Sequence, residues 1–318
     1  MSSSVLITGK VPREWSAELS SLAQVTIWEG EEYLMPRTRL LEVIRDYHAL
    51  INFAEVKADE ALVREASKLR IIANCSIGFD NLDLPLLTAN GIWASNAPGF
   101  FNYPVAEYVL TGILTILRRL PEADDFVRKG KWQAFEPGRW DGCSLKEKTV
   151  GIIGLGSIGK ALRIMLMNLG AKVIYNTRVP AAEAGWTPFE ELIRVSDIIS
   201  IHVPLAAETV NLLDRNTISK MKQGVIIVNT SRGVIIDQDA LVQALRSGLV
   251  GGAVLDVFRD EPDVPVELLE MKNVLLTPHI AGGTRSAREA CVKRTVQNVR
   301  AALEGERPVN ALNEVKWR

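Results

Sequence analysis

Short apolar runs recur along the chain at near-regular intervals, and most are hydrophobic on both faces rather than alternating. In the first hundred residues they stand at 5–8, 25–28, 49–53, 70–74 and 91–96. Polar stretches with helical spacing separate them. From Asp59 to Lys68, for instance, Ala61, Leu62 and Ala66, with Leu69 just beyond, fall near one face. Strands without a polar face that alternate with helices belong to parallel sheets covered on both sides. Ala97-Pro98-Gly99 interrupts the series, and a long helical stretch from Val105 to Lys129 follows. Pro104 suits its opening turn, where a missing N–H costs nothing, whereas Pro121 should kink or divide it. The alternation restarts with strands at 149–153, 172–176, 197–201, 225–229, 251–255 and 273–276, and 286–303 reads as a closing helix.

Length and charge narrow the picture. At 318 residues the chain suits two domains. Lys and Arg number 37 against 38 Asp and Glu, so no basic footprint for nucleic acid or an anionic membrane is expected. No apolar run is long enough to span a bilayer, and the start, Met-Ser-Ser-Ser-Val5, has neither the basic nor the apolar region of a secretory signal. The three cysteines, Cys75, Cys143 and Cys291, form no disulfide framework or CxxC pair. The expectation is a cytoplasmic protein in a reducing compartment, with no membrane or nucleic-acid partner.

The first candidate chemistry lies at the restart of the alternation. The strand at 149–153 runs into Gly154-Leu-Gly156-Ser157-Ile158-Gly159, and a helical run from Lys160 follows. In that setting Gly154 makes the tight turn, Gly156 lets backbone approach a pyrophosphate, and Gly159 allows helix and strand to pack closely. The helix N-terminus would face the phosphates with unpaired N–H groups and the positive end of its dipole. The bland alternative is a strand–helix turn with no ligand. The next strand ends at Asn176, where an NAD site usually places an acidic residue on the ribose 2′-OH. Here Thr177 and Arg178 follow instead. A missing carboxylate and an available guanidinium lean the expectation from NAD toward NADP(H). Arg178 could instead be a solvated loop residue or lie on the adenine face.

Three further segments follow strands of the second unit: Asn229-Thr230-Ser231-Arg232-Gly233, Asp256-Val-Phe-Arg-Asp-Glu261-Pro262 and Thr277-Pro278-His279-Ile-Ala-Gly282. Ligands of open α/β sheets bind outside the carboxyl ends of the strands. An Arg that grips carboxylates, a His that exchanges protons near neutrality and a Glu that favours its charged form make a complete set for hydride transfer between a 2-oxo and a 2-hydroxy acid.

With these segments, His202-Val203-Pro204-Leu205, Ser76-Ile77-Gly78-Phe-Asp-Asn-Leu-Asp83 and Ala106-Glu107, the chain resembles the D-isomer-specific 2-hydroxyacid dehydrogenases over nearly its whole length. The resemblance implies two doubly wound parallel-sheet α/β domains, a Rossmann NAD(P)-binding domain (99–285) inserted in a flavodoxin-like substrate domain (1–98 plus 286–318). It implies that Arg232 binds the substrate and its carbonyl, that His279 is the acid/base and that Glu261 is its partner. The substrate carboxylate would lie against backbone N–H groups at Ser76, Ile77 and Gly78. Asp256 would hold the nicotinamide carboxamide. The remaining cofactor contacts would come from Ser157, Ile158, Val203, Pro204, Thr209, Thr230, Ser231 and Gly282. A homodimer through the richly apolar 104–130 stretch is also implied.

Two departures from the family pattern stand out. Thr177 replaces an acidic residue, and Ser157 replaces the Arg that many members carry in the glycine turn. The chain also stops soon after the last helix, so the regulatory domain of some relatives is not expected. The expected activity is therefore interconversion of a small 2-oxo acid and its D-2-hydroxy acid, best represented by glyoxylate or hydroxypyruvate reduction. 3-Phosphoglycerate dehydrogenase and a dinucleotide-sensing corepressor-like scaffold are the alternatives, though an intact Arg, Glu and His set argues for turnover.

Other polar residues read as less consequential. His48 looks like a surface or packed histidine, and His202 like a structural or cofactor-lining one. Cys75 reads as a small apolar lining residue. Asp80 and Asp83 suit turn capping better than a metal, and no metal site is expected. Trp132, Phe135 and Trp140 are expected to cover either an interface or the cleft.

Overall fold

In the computed structural model, residues 3–53 and 56–315 are described. The chain divides into two compact units, Met1–Phe101 with Thr284–Arg318, and Asn102–Gly283.

The first unit holds β1 (Ser3–Ile7), β2 (Ala23–Ile27), β3 (Ala49–Asn52), β4 (Ile71–Asn74) and β5 (Trp93–Ser95), all parallel, in the order β2-β1-β3-β4-β5. This is the flavodoxin-like arrangement of a doubly wound sheet. The double-faced apolar runs are central strands: β3 and β4 are buried at every residue. Leu6, Leu50, Ile72 and Ala94 from four neighbouring strands meet in one core with Leu40, Leu62 and Leu87 from the helices. The helix from Asp59 is shorter than its periodicity predicts, spanning Glu60–Glu65, and the Asp59 carboxylate accepts the Leu62 N–H at its start. Asp83 caps the next helix by accepting from Leu86 N–H. The closing helix is Arg285–Glu304.

The second unit holds β6 (Thr149–Ile153), β7 (Lys172–Asn176), β8 (Ile198–Ile201), β9 (Val225–Asn229), β10 (Val250–Leu255) and β11 (Val274–Leu276), again all parallel, in the order β11-β10-β9-β8-β6-β7. Beyond β7 a single parallel bridge, Tyr175 to Trp186, is what remains of an outer strand. Counting it, the order is that of a dinucleotide-binding sheet, and the chain reverses direction across the sheet between β6 and β8.

The 105–129 stretch is two helices, Asn102–Leu117 and Leu120–Arg128. The break is at Arg119, in the left-handed region at φ 53°, and Pro121 sits in the first turn of the second helix. No helix among the described residues is long and apolar enough to cross a membrane.

Candidate active site

The turn after β6 has the shape its glycines suggested. Gly154 has φ +95°, and a Cβ there would lie 2.7 Å from the His202 carbonyl oxygen. A Cβ at Gly159 would meet the Gly154 oxygen at 2.4 Å, so turn and helix touch backbone to backbone. At Gly156 a Cβ would meet nothing within 4 Å. The open space is therefore over the middle glycine, where a pyrophosphate needs it. Gly156 is the N-cap of the helix Ser157–Asn168 and offers no capping side chain, so the first amides, at Ser157, Ile158 and Gly159, are left for a ligand. These features fit a dinucleotide.

The opposite wall of this turn is the segment after β8. The His202 N–H donates to Ile153 O at 2.7 Å, and the His202 ring meets Ser200 Oγ through Nε2 at 2.8 Å. Burial pushes this imidazole down to about 4, so it is neutral at working pH. Ser231 Oγ donates to the Val203 carbonyl, tying the β9 and β8 loops together. The Thr209 hydroxyl donates to the Pro204 carbonyl at 2.9 Å and accepts the Ala206 N–H, closing its own turn. Thr230 directly follows β9, and Gly282 lies in the loop that carries His279.

Just past the end of β7, Thr177 Oγ1 donates to Val179 O, and Arg178 pairs with Glu208 at 3.0 Å. The Arg178 side chain is 87% exposed, so this pair holds the guanidinium without hiding it. Glu208 is invisible as a partner in the sequence, because it lies 30 positions away and beyond another strand.

Arg232, Glu261 and His279 follow β9, β10 and β11. A Cβ at Gly233 would lie 1.9 Å from the Phe258 carbonyl carbon, so the backbone beside Arg232 packs directly on the segment that carries Glu261. Asn229 Nδ2 donates to the Arg232 carbonyl, fixing the same turn. Glu261 Oε1 accepts the Phe258 N–H at 3.0 Å, and Oε2 lies 2.9 Å from His279 Nδ1. The hydrogen bond with Glu261 raises the His279 pKa. Partial burial opposes it, the charges of Glu261 and Asp256 add to it, Arg232 subtracts, and the net shift is upward. Burial pushes the Glu261 carboxyl up, but bonds from His279 and the Phe258 amide, with the charges of His279 and Arg232, leave it below its ordinary value. The two shifts are those of a carboxylate and an imidazolium held together, with the Arg232 charge close enough to bear on both.

The unit therefore joins a glycine-cradled helix terminus to an arginine, a carboxylate and a histidine bonded to that carboxylate at neighbouring strand ends. Residues 110–281 match the family described as D-isomer specific 2-hydroxyacid dehydrogenase, NAD binding domain. The chain belongs to that family. It is an oxidoreductase acting on CH–OH donors and carries an NAD-binding domain. It is 39% identical to the glyoxylate reductase of Thermococcus litoralis, over 99% of this chain and 98% of that one. Among solved structures it is similar to an NADPH-dependent glyoxylate/hydroxypyruvate reductase from Sinorhizobium meliloti in complex with NADP and malonate (29% identity, TM-score 0.85, covering 100% of this chain and 99% of that one). A D-lactate dehydrogenase from Aquifex aeolicus complexed with NAD and lactic acid is also similar (28% identity, TM-score 0.86, 98% and 100%).

In the other unit, the residues after β4 turn their carbonyls inward. Ser76 O accepts from Ala97 N–H, Ile77 O from Asn96 Nδ2, and Gly78 O from Ser76 Oγ and Asn74 Nδ2. Buried Asn52 and Asn74 and the part-buried Asn81 bond to one another behind this turn. Cys75 does not stand alone: its Sγ is 3.4 Å from that of Cys291, both thiols buried and free. His48 Nδ1 meets Ser4 at the edge of β1, a packed surface histidine. No group of His, Cys, Asp and Glu able to hold a metal occurs among the described residues. Trp140 packs on Phe126 with ring centroids 5.1 Å apart, while Trp132 and Phe135 stand in solvent.

Proposed function

We propose that this chain reduces glyoxylate or hydroxypyruvate with NADPH, and that Arg232, Glu261 and His279 are the groups that do so. The observation that carries the reading is the Glu261–His279 pair, with the Arg232 charge bearing on both partners. When bound, the nicotinamide supplies a hydride to the carbonyl carbon. Protonated His279, held through Nδ1, gives a proton from Nε2 to the carbonyl oxygen. Arg232 offsets the charge that develops on that oxygen, and Glu261 stabilises the imidazolium until the proton leaves. The backbone amides of Ser76, Ile77 and Gly78 are assigned to the substrate carboxylate; their inward-turned carbonyls support this, since such a turn offers its N–H groups to an anion.

The preference for NADPH rests on Arg178. Charge-assisted bonds to a 2′-phosphate contribute about 1.5–3 kcal/mol. Breaking an exposed ion pair such as Arg178–Glu208 costs at most about 1 kcal/mol. The phosphate therefore wins the guanidinium. The dinucleotide would otherwise be held by the 154–159 turn, the Val203-Pro204 and Thr209 segment, Thr230, Ser231, Gly282 and the Asp256 carboxylate.

The reading includes a cytoplasmic homodimer. Tyr103, Leu120, Val127, Trp132 and Phe135 are exposed apolar side chains within one stretch of the second unit, and a second copy would cover them. The test of the function is a panel of 2-oxo acids mixed with NADPH and followed by loss of nicotinamide absorbance. Glyoxylate and hydroxypyruvate should give the highest kcat/KM. A clear preference for 3-phosphohydroxypyruvate, or no turnover with any of them, would overturn it.

A further inference from the structure

Asp256 opens the segment after β10 and has no solvent exposure. Its side chain does more than await a ligand. Oδ1 accepts the Thr277 hydroxyl at 2.6 Å and the Ile280 N–H at 2.8 Å, and Oδ2 accepts the Ala281 N–H at 2.7 Å. Its backbone carbonyl accepts the His279 N–H at 2.9 Å. One residue thus binds positions 277, 279, 280 and 281, and the loop is wrapped around it. That loop carries His279 at φ +55°, in the left-handed region. Such backbone persists in a residue with a Cβ only where its surroundings over-determine it.

The chain of bonds extends one step further. The Tyr108 hydroxyl, on the helix Asn102–Leu117, is bonded to Thr277 Oγ1. A carboxylate only accepts, so the single Thr277 proton goes to Asp256 and Tyr108 must donate to Thr277. The polarity is therefore fixed: Tyr108 to Thr277 to Asp256. Burial and the charge of Asp256 raise the Tyr108 phenol, against the opposing effect of its bond to Thr277, so it keeps the proton it donates.

We propose that Thr277 and Tyr108 are positioning residues for His279, acting through Asp256, and that they set both the placement of the imidazole and how strongly the Asp256 charge bears on it. This rests on the reading of His279 as proton donor. The charged groups that bear on His279 are Glu261 and Asp256, which favour its protonated form, and Arg232, which opposes it. Each proton donated to Asp256 spreads its charge. Without the Thr277 hydroxyl that charge acts on His279 less compensated, so the imidazole pKa should rise, while a less firmly held loop should slow the proton transfer.

The chain has three histidines, so their ring C–H resonances can be titrated individually by NMR in the cofactor-free protein, with His279→Gln giving the assignment. Thr277→Val should raise the His279 pKa, move the alkaline limb of glyoxylate reduction to higher pH and lower kcat about tenfold. Thr277→Ser should restore all three. Tyr108→Phe, which removes one oxygen and keeps the ring, should shift them in the same direction by less. Wild-type His279 titration and kcat in both Thr277→Val and Tyr108→Phe would overturn the inference while leaving the donor assignment standing. Near-normal turnover in His279→Gln would overturn the donor assignment itself.

Discussion

Glu261 takes the Nδ1 side of His279 at 2.9 Å, which assigns the proposed proton transfer to Nε2. Replacing His279 with Gln should lower kcat by about 10²–10⁴ with the Kd for NADPH little changed, measured by steady-state kinetics and by calorimetric titration.

The same pair sets a pH window. The His279 pKa lies above its ordinary 6.5, so 2-oxo acid reduction should persist past that pH and fall as pH rises through the raised value. Glu261→Gln removes the largest cause of the rise and should move this alkaline limb toward acid. The sign for stability agrees. The His279 contribution is full below 6.5 and lost as pH rises through its folded pKa, and the Glu261 contribution is lost as pH falls through its own lowered pKa. The pair therefore stabilises most between the two, and the pH dependence of Tm in wild type and Glu261→Gln checks it.

Glu208 and the 2′-phosphate of the proposed cofactor compete for the Arg178 guanidinium. Arg178→Ala should collapse most of the preference for NADPH over NADH, a loss of roughly ten- to a hundred-fold. Glu208→Gln frees the guanidinium and should strengthen NADPH binding a few-fold without strengthening NADH. Direct titration of each dinucleotide into the variants reads both. A wild-type preference for NADH would remove Arg178 as the selector.

Gly233 is required by contact rather than by φ. Alanine there would drive a Cβ to 1.9 Å from the Phe258 carbonyl carbon. Relieving that overlap displaces the segment that bears Glu261. Gly233→Ala should therefore cost about 1–3 kcal/mol of stability and a large part of kcat together. Denaturant melts and kinetics on the same preparation would show it.

Much of this was readable from pattern, and the rest was not for definable reasons. The strands at 149–153 and 225–229 begin and end where their apolar runs do, because central parallel strands have no polar face. The run at 91–96 keeps only Trp93–Ser95 as strand, since its pairing with β4 stops at Ala73–Ser95. The sequence places Asp256 directly after a strand, but it does not reveal that residue's grip on the 277–281 loop. Likewise Cys75 and Cys291 meet across 216 positions, and Tyr108 reaches Thr277 across 169. Such contacts are set by how the sheet stacks its loops, which no local periodicity encodes. Tyr108 did carry one signal: a hydroxyl on a helix otherwise rich in aliphatic residues has to find a partner.

The homodimer is tested by mass in solution. Light scattering at micromolar concentration should give about twice the 35.1 kDa chain, and charged substitutions at Trp132 and Phe135 should lower it.

Reduction of a small 2-oxo acid by Arg232, Glu261 and protonated His279, as proposed, takes the D-stereochemical sense of this family. Hydroxypyruvate tests it most directly, because its product is chiral. Incubated with NADPH and the wild-type protein, it should yield D-glycerate, and His279→Gln should yield almost none in the same time. Formation of L-glycerate, or equal D-glycerate from the two proteins, would contradict the account.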